Sequence, residues 1–154
     1  MNQLATLCYL QKNGQTLMIC PHKKRVTEYN GKWNGLGGKV QNGETPEECA
    51  IREVYEESNL KINNLKLAGI LTFPKIFDDQ DWYCFVYKSS NFSGTLKESD
   101  EGNLEWIKDE EVLKRNIWEG DHFFLPYLFS GKKFNGKFYY KNDKLLKHSI
   151  STME

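Results

Sequence analysis

Three glutamates, Glu53, Glu56 and Glu57, stand at positions i, i+3 and i+4 of one short segment, with Arg52 beside them. If the segment is helical, each residue turns by about 100°, so the three carboxylates gather on an arc of roughly the same width. Side chains at this spacing are near neighbours. Screened by water, each close pair costs only a few tenths of a kcal/mol, and charge runs are usually solvated faces. A hard divalent cation would instead use the oxygens as ligands, and magnesium in such sites keeps several waters and shares them with substrate phosphates. Arg52 can fix one carboxylate through a forked hydrogen bond. Spacing alone leaves both readings open.

The elements that must position these groups are legible. Thr45 caps a helix that Pro46 opens, and Glu48 completes a Thr-x-x-Glu capping box. Asn59 suits the left-handed position just past the helix end. On the helical wheel Ala50, Ile51, Val54 and Tyr55 share a side that can face a core. Upstream, "LATLCYL" and "QTLMIC" read as a hairpin turning at Asn13-Gly14. Downstream, "LKLAGILTF", "DWYCFVYK" and "NLEWI" read as strands, followed by a short helix around "DEEVLKR". "DHFFLPYLFSG" predicts a second apolar helix ended by Gly131, with Pro126 inside it. "KFYYK" and "KLLKHSI" predict a closing hairpin at Asn142-Asp143. Strands interrupted by two or three helices imply a mixed sheet with helices on its faces.

The chain has 154 residues, which predicts one domain spanning 1–154. Lysine plus arginine and aspartate plus glutamate both number 21, so no global field favours polymeric nucleic acid or an anionic membrane. No stretch approaches the roughly 20 apolar residues of a membrane span. The start has no basic leader or cleavage site. Cys8, Cys20, Cys49 and Cys84 lack zinc or disulfide spacing, as expected of buried thiols in a reducing compartment. These features predict a cytoplasmic protein, and a monomer is expected. Aromatics make up 14% of the chain, which suits either a core or a pocket for a flat ligand.

The segment from Gly38 to Leu60 resembles the Nudix box: Gly38, Glu44, Arg52, Glu53, Val54, Glu56, Glu57 and Leu60 fall at its positions. At residue frequencies near 7%, such a match arises by chance on the order of once in a million chains. The one departure is Asn59 where the box has glycine, at a left-handed position that asparagine tolerates. The resemblance implies an α/β (α+β) fold, a Nudix-type α/β/α sandwich with a central mixed sheet and two to three helices. It also implies hydrolysis of nucleoside diphosphate derivatives with Mg²⁺, for which Mn²⁺ can substitute. Carried over, the metal ligands are Glu53, Glu56, Glu57 and the Gly38 carbonyl, with Glu44 structural. Glu53, Glu57 or Glu101 would accept the proton of the attacking water.

Other stretches bear on the substrate. "GKWNGLGGKV", "SDEGNLEW" and "WEGDHFFLPYL" resemble the MutT-type members that clear oxidised purine nucleoside triphosphates. The resemblance implies an oxidised purine dNTP, foremost 8-oxo-dGTP, as the nucleotide substrate, cleaved to monophosphate and pyrophosphate. Asn34 offers donor and acceptor to a purine edge, or serves an Asn-Gly turn. Trp118 offers a stacking platform, or packs in the core. Asp121 accepts from purine ring NH groups, or caps the next helix. Glu101 lies outside the box, where an acid reaches the metal in similar enzymes, or is a charged loop residue. Lys39 would neutralise phosphates or sit on the surface, and Tyr29 would cover the base or do the same. Animal members carry two successive aspartates near this tryptophan; here Gly120 replaces one, which bears on the range of oxidised bases accepted. The rival expectations are another substrate (ADP-ribose, a dinucleoside polyphosphate or an unmodified triphosphate) or a nucleotide-sensing domain without turnover.

Overall fold

The structure, a computed structural model, describes residues 2–22 and 31–153. Strands β1 (Asn2–Lys12) and β2 (Gln15–Pro21) form the first hairpin. Asn13 and Gly14 both take positive φ (54° and 73°), as a tight turn matched to strand twist requires. Helix α1 (Pro46–Ser58) follows, then β3 (Lys61–Phe77) and β4 (Gln80–Ser93), which turn at Asp78 and Asp79. Both strands outrun the sequence expectation, and β3 continues past Pro74. β5 (Gly102–Lys108), α2 (Asp109–Val112), α3 (Asp121–Ser130), β6 (Phe134–Lys141) and β7 (Lys144–Thr152) complete the order.

The seven strands form one sheet in the order β5-β2-β1-β4-β3-β6-β7. It is mixed: β1 runs parallel to β4 and β3 parallel to β6, while the other neighbours are antiparallel. Period-two alternation divides the interior between two faces. Tyr9, Met18 and Val86 enter one cluster with Val112 of α2 and Phe124, Leu125 and Leu128 of α3. Cys8, Leu10, Leu17, Ile19 and Tyr87 enter the other with Ala50 and Val54 of α1. A helix layer on each face gives the α/β/α sandwich of the sequence reading.

Helix α1 is defined at both ends as its residues dictate. The Thr45 side chain accepts from the Glu48 N–H and the Glu48 carboxylate accepts from the Thr45 N–H, a complete capping box. Asn59 ends the helix at φ 67°, ψ 10°, and its Nδ2 donates to the Thr95 carbonyl at 2.8 Å. One expectation fails. Ile51 and Tyr55 are 38% and 56% exposed, and the buried stripe is Cys49, Ala50, Val54, Glu57 and Ser58. The sheet contacts a narrower arc than the apolar residues span, and it takes in a glutamate instead.

Helix α3 keeps Pro126 on an exposed turn and ends at Gly131 in the left-handed conformation. It begins at Asp121 with Gly120 at the N-cap and no side-chain cap bond, so the capping role for Asp121 is not realised.

The left-handed cap sets a stability prediction. Asn59→Gly should stay within about 1 kcal/mol of the parent. Asn59→Val should lose about 1–2 kcal/mol more, because a branched Cβ crowds the carbonyl in that region. Urea unfolding of the three proteins measures both.

Candidate active site

Two loops and one helix build the acidic end. Glu53 and Glu57 project from α1, and Glu101 comes from the turn leading into β5. Ligand oxygens of Glu53, Glu57 and Glu101 all lie within 4.8 Å of one another. At that separation two ionised carboxylates repel by about 3–4 kcal/mol at an effective dielectric near 20. This is far above the few tenths expected for a screened helix face. Glu57 is only 7% exposed. Burial, followed by the charges of Glu53, Glu101 and Glu56, pushes its carboxyl up to about 9 against the hydrogen bond it accepts from Gly37. Burial also raises Glu53, partly offset by Arg52. Two carboxyls whose ionisation burial disfavours thus meet a third carboxylate at one point. The donor set is all oxygen, and it fits a hard divalent cation.

Close approach of the chain makes this geometry. The Gly37 N–H donates to Glu57 Oε1 at 2.9 Å. A Cβ on Gly37 would stand 2.0 Å from the Thr6 carbonyl oxygen, and one on Gly38 would stand 2.6 Å from the Glu53 carboxyl. Only glycines let the loop lie against both carboxylates. The Gly38 carbonyl accepts from the Thr6 N–H at 2.9 Å, so one lone pair is already engaged there. Gly37, which the sequence reading passed over, is the glycine whose amide touches the cluster. Glu101 is held through its backbone: its carbonyl accepts from the His22 N–H at 3.0 Å, and its N–H donates to Ser99 Oγ at 3.1 Å.

Arg52 works outside the cluster. It forks onto Glu44 (Nε to Oε2 2.7 Å, Nη2 to Oε1 3.0 Å) and reaches Glu53 at 2.8 Å and Glu56 at 3.2 Å. Its guanidinium holds the Glu44 carboxyl down to about 2. Glu44 thus ties the helix to the loop, and Arg52 orients Glu53 from behind. Glu56 is exposed, bonds Arg52, and does not join the converging trio. Of the helical triad read from spacing, two members meet Glu101 and the third turns aside.

The second end of the site is aromatic. Tyr140 lies edge-on to Trp118 at 6.0 Å and tilted against Phe73 at 6.3 Å. Phe73 is the cross-strand partner of Trp82. Lys32 Nζ stands 4.9 Å above the Trp118 ring, and Lys39 Nζ stands 5.6 Å above Trp82. Asp121 is buried beside this wall, where burial pushes its carboxyl up to about 8 against the Lys32 charge and a Trp118 backbone hydrogen bond. Asn34 is half-buried, pinned by reciprocal backbone bonds to Ile19 at 2.8 Å, with Nδ2 donating to the Lys32 carbonyl. The Asn-Gly turn is not formed: Asn34 stands in an antiparallel bridge with Ile19, and its side chain bonds the Lys32 carbonyl. Tyr29 lies outside the described residues. A Cβ on Gly120 would stand 2.6 Å from Tyr140 Oη, which already accepts from the Gly120 N–H at 2.7 Å. Tyr140 occupies the space that an acid at this position would need.

Comparison with known proteins settles the kinship. A profile described as the NUDIX domain matches residues 1–128. The chain belongs to the Nudix family. It is 34% identical over 154 residues to the oxidized purine nucleoside triphosphate hydrolase of Danio rerio, covering 99% of this chain and 97% of that protein. It is 33% identical over 125 residues to the protein of that name from Mus musculus, covering 80% of each. The crystal structure of the MutT mutator protein of Bacillus halodurans superposes with a TM-score of 0.84 at 30% identity, covering 96% of this chain and 97% of that one.

Within this Nudix chain, sequence reasoning missed Gly37, Lys32, Tyr140 and Trp82. Lys32 and Gly37 lie in the quoted glycine-rich stretch, but nothing local distinguishes their roles. Tyr140 and Trp82 read as ordinary strand aromatics, and only sheet pairing brings them to the wall.

The buried acid gives a pH prediction. In the unfolded chain an aspartate titrates near 4; folded, Asp121 keeps its proton up to about 8. The native state therefore binds the proton more tightly, and its stability falls as pH rises through that window, by at most about 1.4 kcal/mol per pH unit. Asp121→Asn should flatten the decline. Thermal melts from pH 5 to 8 in chelator check it, and an unchanged slope would show that Asp121 is ionised in the folded protein.

Proposed function

We propose that this Nudix hydrolase acts on oxidised purine deoxynucleoside triphosphates, 8-oxo-dGTP foremost, releasing the monophosphate and pyrophosphate. The observation that carries the reading is the pairing of one acidic cluster with one aromatic wall that holds a buried acid. The first suits a polyphosphate tail and the second a flat, hydrogen-bonding base. The kinship with proteins named for this activity supports it over ADP-ribose or dinucleoside polyphosphates. Retention of Glu53, Glu57 and Glu101 around one point supports turnover over sensing.

Glu53, Glu57 and Glu101 would hold the metal, proposed to be Mg²⁺. When bound, it would neutralise phosphate oxygens and acidify a water. The chain's own groups do the rest. Arg52 donates to Glu53 Oε2 and fixes that carboxylate, which can accept a proton from the attacking water. The Gly37 N–H fixes Glu57. Lys39, held over Trp82, supplies positive charge beside the loop. Trp118 offers a face to the base, worth about 1–3 kcal/mol by analogy with other base–aromatic contacts. Asp121, protonated near neutrality, presents a donor as well as an acceptor. Oxidation at C8 turns the guanine N7 from acceptor to donor, and a buried polar group matched to one pattern rejects the other. We place the protein in the cytoplasm as a monomer acting on free nucleotides.

Two variants test the two ends. Glu57→Gln should fold like the parent and lose at least about a hundredfold in kcat, the scale of one lost general acid–base or electrostatic contribution; wild-type turnover would remove Glu57 from the site. Trp118→Ala should raise KM for 8-oxo-dGTP more than it lowers kcat. A substrate panel with product identification completes the test: equal kcat/KM for 8-oxo-dGTP and dGTP would reject the proposed substrate.

A further inference from the structure

A second charged feature lies away from the acidic cluster. Lys66 on β3 and Lys88 on β4 are directly opposed register partners. Like charges so placed in an antiparallel pair destabilise it. Lys132 and Lys133, just past the end of α3, join them. The four lysines, with Leu128 and Gly131 among the apolar lining, surround a cavity of about 310 Å³. That is about ten water volumes, room for a diphosphate. Among the described residues, no carboxylate lines the cavity, and none of the four lysines forms an ion pair. Lys88 Nζ points across the cavity, 4.0 Å from where a Cβ on Gly131 would stand.

The end of α3 does not explain the gathering. Two of its last four carbonyls are already taken by backbone, Leu128 by the Gly131 N–H at 3.2 Å and Tyr127 by the Lys132 N–H at 3.0 Å. The helix dipole adds only about half a negative charge there, against four ammonium groups. In a chain with equal numbers of acidic and basic residues, four cations that share a concavity with no acid among its described lining residues make a local positive field suited to an anion from outside. The cavity shares no residue with the acidic trio. Lys66 also precedes Phe73 of the aromatic wall by seven positions on β3, about 20 Å along an extended strand.

We propose that this four-lysine pocket is an anion site for a polyphosphate group, separate from the acidic cluster and taking free pyrophosphate or the tail of a nucleotide. Three of the four lysines are exposed, so the anion enters directly from solvent, and binding weakens as salt screens it.

Calorimetry with sodium pyrophosphate, in chelator and low salt, tests the site without a metal at the acidic cluster. The parent should bind one equivalent, and binding should fade at about 0.2 M salt. Lys66→Gln with Lys88→Gln, and separately Lys132→Gln with Lys133→Gln, should each weaken it about tenfold or more, the scale of one charge-assisted hydrogen bond. Lys147→Gln should change nothing, and all variants should hydrolyse nucleotide as the parent does. A nonhydrolysable dGTP analogue separates the two sources: binding tighter than pyrophosphate points to a nucleotide tail, and equal or weaker binding to the free anion. No binding by the parent, or equal binding by the parent and both double variants, overturns the proposal.

Discussion

The structure turns on a carboxylate buried among its own kind. Glu57 is fixed by one backbone N–H, from Gly37, while Glu53 and Glu101 stand close enough to oppose its ionisation. Water would relieve that repulsion on an open helix face, but here the loop lies directly on the helix. Two consecutive glycines allow this approach, and the Arg52–Glu44 fork draws loop and helix together from outside. The helix cannot drift, because both its ends are capped by its own residues. The protein therefore holds a preorganised, electrostatically unbalanced set of oxygens that suits a positive charge.

The opposite end of the site also buries a carboxyl group, in different company. Asp121 is buried next to aromatic rings, with Lys32 as its positive neighbour, and keeps its proton near neutral pH. Burial holds both acids well above the usual carboxylate range, with neighbouring carboxylates adding to it at Glu57 and the Lys32 charge opposing it at Asp121. The sheet keeps the two apart, since α1 packs on one face while α3 packs on the other. Gly120 and Tyr140 then define the shape of the aromatic end: the tyrosine hydroxyl accepts from the glycine amide and fills the space a side chain at position 120 would need.

The balance of charges across the whole chain hides this segregation. Acidic groups gather on and around α1, and four lysines that form no ion pair among the described residues meet on β3, β4 and the end of α3. A net charge of zero says nothing about local potential, which depends on which charges the fold brings within a Debye length of one another.

The amino-acid sequence by itself determined what local rules govern. The capping box, the left-handed Asn59, the Asn13-Gly14 and Asn142-Asp143 turns and the Gly131 stop all depend on a few adjacent residues, and all stand as read. The Nudix box named the family for the same reason, since its chemistry lies on one loop and one helix. Tertiary structure decided what depends on distant partners. It drew Glu101 close to Glu53 and Glu57, turned Ile51 and Tyr55 outward, and made Gly37 the contact of Glu57. It also buried Asp121 where a cap was one reading, and joined Trp118, Tyr140, Phe73 and Trp82 across strands far apart in the chain. Helical periodicity fixes the angle at which a side chain leaves its helix, but the depth of burial and the company it meets follow only from how the sheet and loops pack around it.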